Sequence, residues 1–123
     1  MTSAFACDLT VFTPAQRERL RALVQRVFGA CRDAEELPEG FRLRFPPQAN
    51  DGAARTAGDG PLVLSIAEWI TLERLCCPSI TFAIEFEEKR GPIAVRMTGR
   101  PGIKPFLLAE FNGRISEKLP PAR

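Results

Sequence analysis

The sequence predicts a two-layer α+β domain, in which a small antiparallel sheet of about three strands carries helices on one face, in the order α-β-α-β-β-α. Three observations lead there. A chain of 123 residues with 45% hydrophobic content can build one core. Three segments alternate apolar and polar residues, the period of a half-buried strand. The segments between and around them repeat apolar residues at helical spacing. The expected boundaries are 1–113 for a single domain and 114–123 for a flexible C-terminal tail containing Pro120 and Pro121.

The first helix has the sharpest start signal. Thr13 can cap it, Pro14 suits the first helical position, and Gln16 completes a T-x-x-Q capping box. Leu20, Leu23, Val24, Val27, Phe28 and Cys31 make its apolar stripe. Its other face, with Arg17, Arg19, Arg21 and Arg26, reads as solvated, offset by Glu18, Asp33, Glu35 and Glu36. Pro38 and Gly40 end this unit. Phe41, Leu43 and Phe45 alternate with Arg42 and Arg44 as a strand, stopped by Pro46 and Pro47. Gln48 to Gly60 reads as a mobile loop.

The second helix has two predicted starts: at Pro61, or at a Ser65 cap after a short Leu62–Leu64 strand. Either way Ile66, Trp69, Ile70, Glu73, Cys76 and Cys77 share a face, and Pro78 ends the helix. Ile80, Phe82, Ile84 and Phe86 alternate, as do Ile93, Val95 and Met97, around a turn at Glu88-Lys89-Arg90-Gly91. A last helix is expected from near Gly102 to Asn112. The outer sheet face would carry Arg42, Arg44, Ala83, Glu85, Ala94 and Arg96, where opposite charges can pair across strands.

Composition removes several functions. There is no His and no Tyr, which excludes Ser-His-Asp and Cys-His catalysis and His-containing zinc sites. Seventeen Lys+Arg against 15 Asp+Glu leave a charge of +2, without the concentrated basic excess that nucleic-acid binding needs. No apolar run reaches the ~18 residues of a membrane span. Met1 to Leu20 has no basic segment leading into an apolar one, so a cytoplasmic protein without a secretory signal is expected.

The four cysteines stand at 7, 31, 76 and 77 without a C-x-x-C spacing, so neither a zinc ribbon nor a thioredoxin-like motif is indicated. A cytoplasmic setting predicts thiols rather than disulfides. Cys31 reads as a small core residue. Adjacent Cys76 and Cys77 would point ~100° apart in a regular helix, but before Pro78 the backbone can open and let them converge. Cys7 is the natural third sulfur for a soft ion. Glu73 shares the cysteine face and would be partly desolvated beside Trp69 and Ile70, which makes it a candidate proton acceptor from a thiol. Ordinary packing of the cysteines, and an ion-paired or partly exposed Glu73, are the simpler readings. The helix C-terminus itself opposes thiolate formation, because its partial charge is negative.

The stretch Glu73-Arg74-Leu75-Cys76-Cys77-Pro78, followed by Phe82, resembles a family of small bacterial proteins of uncharacterised function with an E-R-x-C-C-P-F pattern. Thr98-Gly99-Arg100-Pro101-Gly102-Ile103-Lys104-Pro105-Phe106 is similar to that family's T-G-x-x-G-x-K-x-F segment, and Ala6-Cys7-Asp8-Leu9 to its opening. The resemblance runs from about Cys7 to Phe111 and places Glu73, Arg74, Cys76, Cys77, Pro78 and Cys7 on the pattern; Ser79 departs from its usual aromatic. It implies a bacterial protein and, through related E-R-x-C-C segments, a link with heavy-metal resistance.

The sharpest functional expectation is soft-metal or metalloid binding through Cys7, Cys76 and Cys77, with Glu73 assisting. Two alternatives are a thiol redox sensor or enzyme, and a small homodimeric interaction domain, joined through the outer sheet face or a strand edge, with structural cysteines. No membrane or nucleic-acid partner is expected.

Overall fold

The structure is a computed structural model that describes residues 6–47 and 60–121. The chain forms α1 (Pro14–Ala30), β1 (Asp33–Leu37), β2 (Gly40–Phe45), α2 (Leu62–Cys76), β3 (Thr81–Phe86), β4 (Ile93–Thr98), α3 (Ile103–Glu110) and α4 (Arg114–Lys118). One antiparallel sheet has the strand order β1-β2-β4-β3, so the α+β class holds with four strands rather than three.

The additional strand is β1. Its sequence, Asp-Ala-Glu-Glu-Leu, has too few apolar residues to announce a strand. Of the acids expected to offset α1, Glu18 pairs with Arg21 on the helix, whereas the others serve the sheet: on its outer face Arg44 pairs with Asp33 and Glu35, and Arg42 with Glu35 at 2.6 Å. Glu36, on the inner side, reaches Lys104 at 2.8 Å. Arg42 also reaches Glu85 at 3.0 Å, so the expected cross-strand pairing is present. Gly40 opens β2 because a Cβ there would overlap the Met97 carbonyl on β4.

The inner sheet face is the core. Phe41, Leu43 and Phe45 of β2 and Ile93, Val95 and Met97 of β4 are buried, one alternation apart on each strand. Edge strand β3 is less covered: Phe82 and Ile84 are half-buried and Phe86 is 60% exposed. α1 and α2 pack together over this face. Trp69 lies between Phe28, Phe82 and Phe111, with ring centroids 5.7–6.0 Å apart. Edge-to-face contacts of this kind add to the burial energy.

α1 starts on the predicted capping box, with Gln16 N–H donating to Thr13 Oγ1 and Thr13 N–H to the Gln16 side chain. α2 starts after Pro61, so the Leu62–Leu64 strand does not form. Ser65 is not a cap. It is buried inside the helix and accepts from Arg26 Nε at 2.9 Å. The hairpin of β3 and β4 turns at the expected residues, with Lys89 and Arg90 at positive φ.

The segment from Arg114, expected to be a flexible tail, continues as α4. Asn112 and Gly113, both at positive φ, break the chain after α3, and fully buried Ile115 anchors the new turn. The loop expected over Gln48 to Gly60 lies almost wholly outside the described residues. Among those residues, no helix is long and apolar enough to cross a membrane.

Candidate thiol centre

Cys76 is the last residue of α2, and Cys77 caps it with φ −125° and ψ 73°. That departure from helical geometry brings the two sulfurs to 3.6 Å instead of splaying them. Pro78 is the local cause, since its ring disfavours helical geometry at the residue before it.

Cys7 arrives from the other end of the chain. Asp8 N–H donates to Cys76 C=O at 2.9 Å. A short 3₁₀ turn, Leu9–Val11, is capped by the Asp8 side chain and leads to buried Phe12. Arg17 closes this turn onto α1 by donating to the carbonyls of Leu9 and Phe12. Cys7, Cys76 and Cys77 consequently place their sulfurs within 4.8 Å of one another.

Cys7 and Cys77 form a disulfide with Cα atoms 4.5 Å apart, bridging a sequence separation of 70 residues. This corrects the expectation of thiols alone. The bond also joins Cys77 to Cys7 rather than to its neighbour Cys76. Cys31 and Cys76 are the free, buried cysteines.

Glu73 is buried at 3% exposure, not ion-paired or half-exposed as the simpler reading had it. Its Oε2 accepts from Trp69 Nε1 at 2.9 Å, one helical turn back. The Cys76 thiol lies 3.6 Å from the Glu73 carbonyl and 3.8 Å from its Oε1. Burial pushes the Glu73 carboxyl up to about 7, aided by the charge of Glu110 and opposed by the Trp69 hydrogen bond. Burial, with the charges of Glu73 and Glu110, pushes the Cys76 thiol up to about 12. In the resting site the thiol therefore keeps its proton. Transfer to Glu73 is uphill unless another species takes the sulfur.

A cavity of about 350 Å³ adjoins the centre, with Glu73, Cys76 and Glu110 on its wall together with Arg17, Arg21 and Arg114. Burial also raises the carboxyl of Glu110 above its ordinary value. Neither Glu110 nor this cavity was legible in the sequence. Glu110 belongs to the last turn of α3, and only packing sets it beside a helix some forty residues earlier. Arg74 is exposed and lines a separate cavity with Ile70 and Phe82, so it does not partner Glu73.

Compared with protein families, with characterised proteins and with solved structures, the chain matches none of them.

Proposed function

We propose that the reduced protein binds a soft metal ion or metalloid through Cys7, Cys76 and Cys77, and that the Cys7–Cys77 disulfide is its closed, oxidised form. The observation that carries this reading is the convergence of three sulfurs within 4.8 Å from two distant stretches of chain. Metal–sulfur bonds near 2.3 Å require sulfurs about 3.5–4 Å apart; Cys76 and Cys77 already stand at 3.6 Å, and Cys7 must part from Cys77 as the disulfide opens. Thiolates are the favoured ligands of such ions. The reading agrees with the resemblance around Glu73–Pro78, which implies a bacterial protein connected with heavy metals. A reducing cytoplasm would hold the site open.

One observation favours a second reading. A free thiol, Cys76, lies 3.6 Å from the disulfide sulfur of Cys77, the adjacency that thiol–disulfide exchange needs. Its buried, protonated state makes it a slow nucleophile, so redox switching of the metal site fits better than rapid redox catalysis.

Native mass spectrometry of reduced protein titrated with Zn, Cu(I) and arsenite separates these readings. One equivalent of a soft ion should bind the reduced protein, and none the disulfide form. Uptake should weaken by about 100-fold in Cys7→Ser and vanish in Cys76→Ser/Cys77→Ser. Absence of stoichiometric uptake by any of the three ions would remove the binding reading.

A further inference from the structure

Resting on the binding reading above, the geometry points to one chemical class of cargo. We propose that the site takes a trivalent metalloid, delivered as its neutral hydroxide of the arsenite or antimonite type, and holds it as a neutral trithiolate of Cys7, Cys76 and Cys77.

The first ground is ligand number. Three sulfurs converge among the described residues, and the chain has no histidine. The remaining cysteine, Cys31, is outside the cluster and donates its thiol to the Asp33 carbonyl at 3.3 Å. Zinc takes four ligands in structural sites. A trivalent metalloid needs only three sulfurs, because its lone pair occupies the fourth direction.

The second ground is charge. Cys76 and Cys77 are 1% and 0% exposed, and the nearest ionisable groups acting on Cys76 are two carboxylates, Glu73 and Glu110. Of the arginines on the cavity wall, Arg17 is held by the carbonyls of Leu9 and Phe12 and Arg21 by Glu18, and neither these nor Arg114 is among the charges that act on Cys76. Three thiolates around a divalent ion leave one net negative charge. Burying that charge without a paired cation, beside two acids, is costly. Three thiolates around a trivalent centre leave none.

The third ground is the reaction itself. A neutral M(OH)₃ condenses with three thiols. Three M–O bonds and three S–H bonds break, three M–S bonds and three O–H bonds form, and three waters leave. The metalloid stays trivalent, no electron moves and no proton is released. Buried thiols can thus react without first becoming buried thiolates. The Cys7–Cys77 bond must be opened beforehand by a reductant such as two equivalents of a small thiol, which become its disulfide.

The test uses the full chain, reduced with a phosphine that is then removed without oxygen. Arsenite, Zn(II) and Cd(II) are added singly and in competition, with native mass spectrometry for stoichiometry and a weakly buffered indicator for protons. Arsenite should add one arsenic less three hydrogens per chain with no acidification, and should outcompete either divalent ion by roughly tenfold or more. Cys7→Ser, altered at a partly exposed position, should weaken arsenite binding by about 100-fold while circular dichroism shows the fold retained. Glu110→Gln should strengthen Cd(II) binding more than arsenite binding, because only the former adds charge. Zn(II) or Cd(II) binding as tightly as arsenite, with proton release, would overturn the metalloid assignment and leave soft-metal binding standing. Failure of all three ions to bind would remove both.

Discussion

Two helices of this protein end on a cysteine cap, and the two caps have different fates. Cys31 caps α1 with its N–H on the Val27 carbonyl, and Cys77 caps α2 with its N–H on the Glu73 carbonyl. Both sulfurs are buried, and the free thiol at each end, Cys31 or Cys76, is held strongly protonated, at about 11 and about 12. Burial is the largest cause in each case. Cys31 nevertheless meets backbone groups of Asp33 and Arg44 and core residues, and it packs. Cys76 and Cys77 meet each other, Cys7 and a buried carboxylate. A cysteine at a helix end is thus functionally neutral by itself. Chemistry needs a second stretch of chain to bring further ligands.

The largest expected effect is on ion binding. Cys76→Ser should abolish soft-ion uptake, while Cys31→Ser should leave the stoichiometry unchanged. Uptake lost equally in both would dissolve the distinction between the two caps, and native mass spectrometry decides it.

Stability comes next. Reducing the Cys7–Cys77 bond, or making Cys7→Ser, should lower unfolding free energy by about 2–4 kcal/mol, since the bond closes a long loop in the unfolded chain. Urea titrations with and without reductant measure this. Cys31 supports no such bond, so the Cys31→Ser protein should show the same difference between its oxidised and reduced forms.

A pH dependence follows from Glu73. Its folded value near 7 lies above the ordinary 4.5. The folded state therefore binds the proton more tightly than the unfolded one, and protonation stabilises the fold. Stability should be greatest below about pH 4.5, fall as pH rises to about 7, and then level off, a loss of up to about 3 kcal/mol. Glu73→Gln should flatten that slope in urea titrations across the range. A slope unchanged in this variant would show that another group dominates.

The smallest effect belongs to the outer sheet face. Arg44 and its partners Asp33 and Glu35 are about a third to a half exposed, where ion pairs contribute about 0–1 kcal/mol. Arg44→Ala should change stability by that little, and the residue should weaken further in its effect at high salt. The charged groups here are numerous and nearly inert, whereas the single buried acid at the thiol centre carries a large shift.

Much of the fold was legible because its signals are local. The Thr13–Gln16 capping box, the alternation of Phe41-Leu43-Phe45 and of Ile93-Val95-Met97, and the stop at Pro78 each act within a few residues. β1 was not legible, because a strand held to β2 by its backbone ladder, with acids facing the β2 arginines, has no apolar alternation of its own. The helix at Arg114 was hidden in the same way: one buried side chain, Ile115, anchors it, and periodicity needs several.

At the site, the residue types belong to the sequence, as does the face shared by Glu73 and Cys76, which helical spacing places together, and the opening of the helix at Cys77, which Pro78 marks. The tertiary structure decided the rest. It brought Cys7 across a separation of 70 residues to bond with Cys77, buried Glu73 under Trp69, and set Glu110 nearby. The physical reason is range. Backbone preference and spacing act within one or two helical turns, while desolvation and ligand convergence depend on which distant surfaces the core forces into contact.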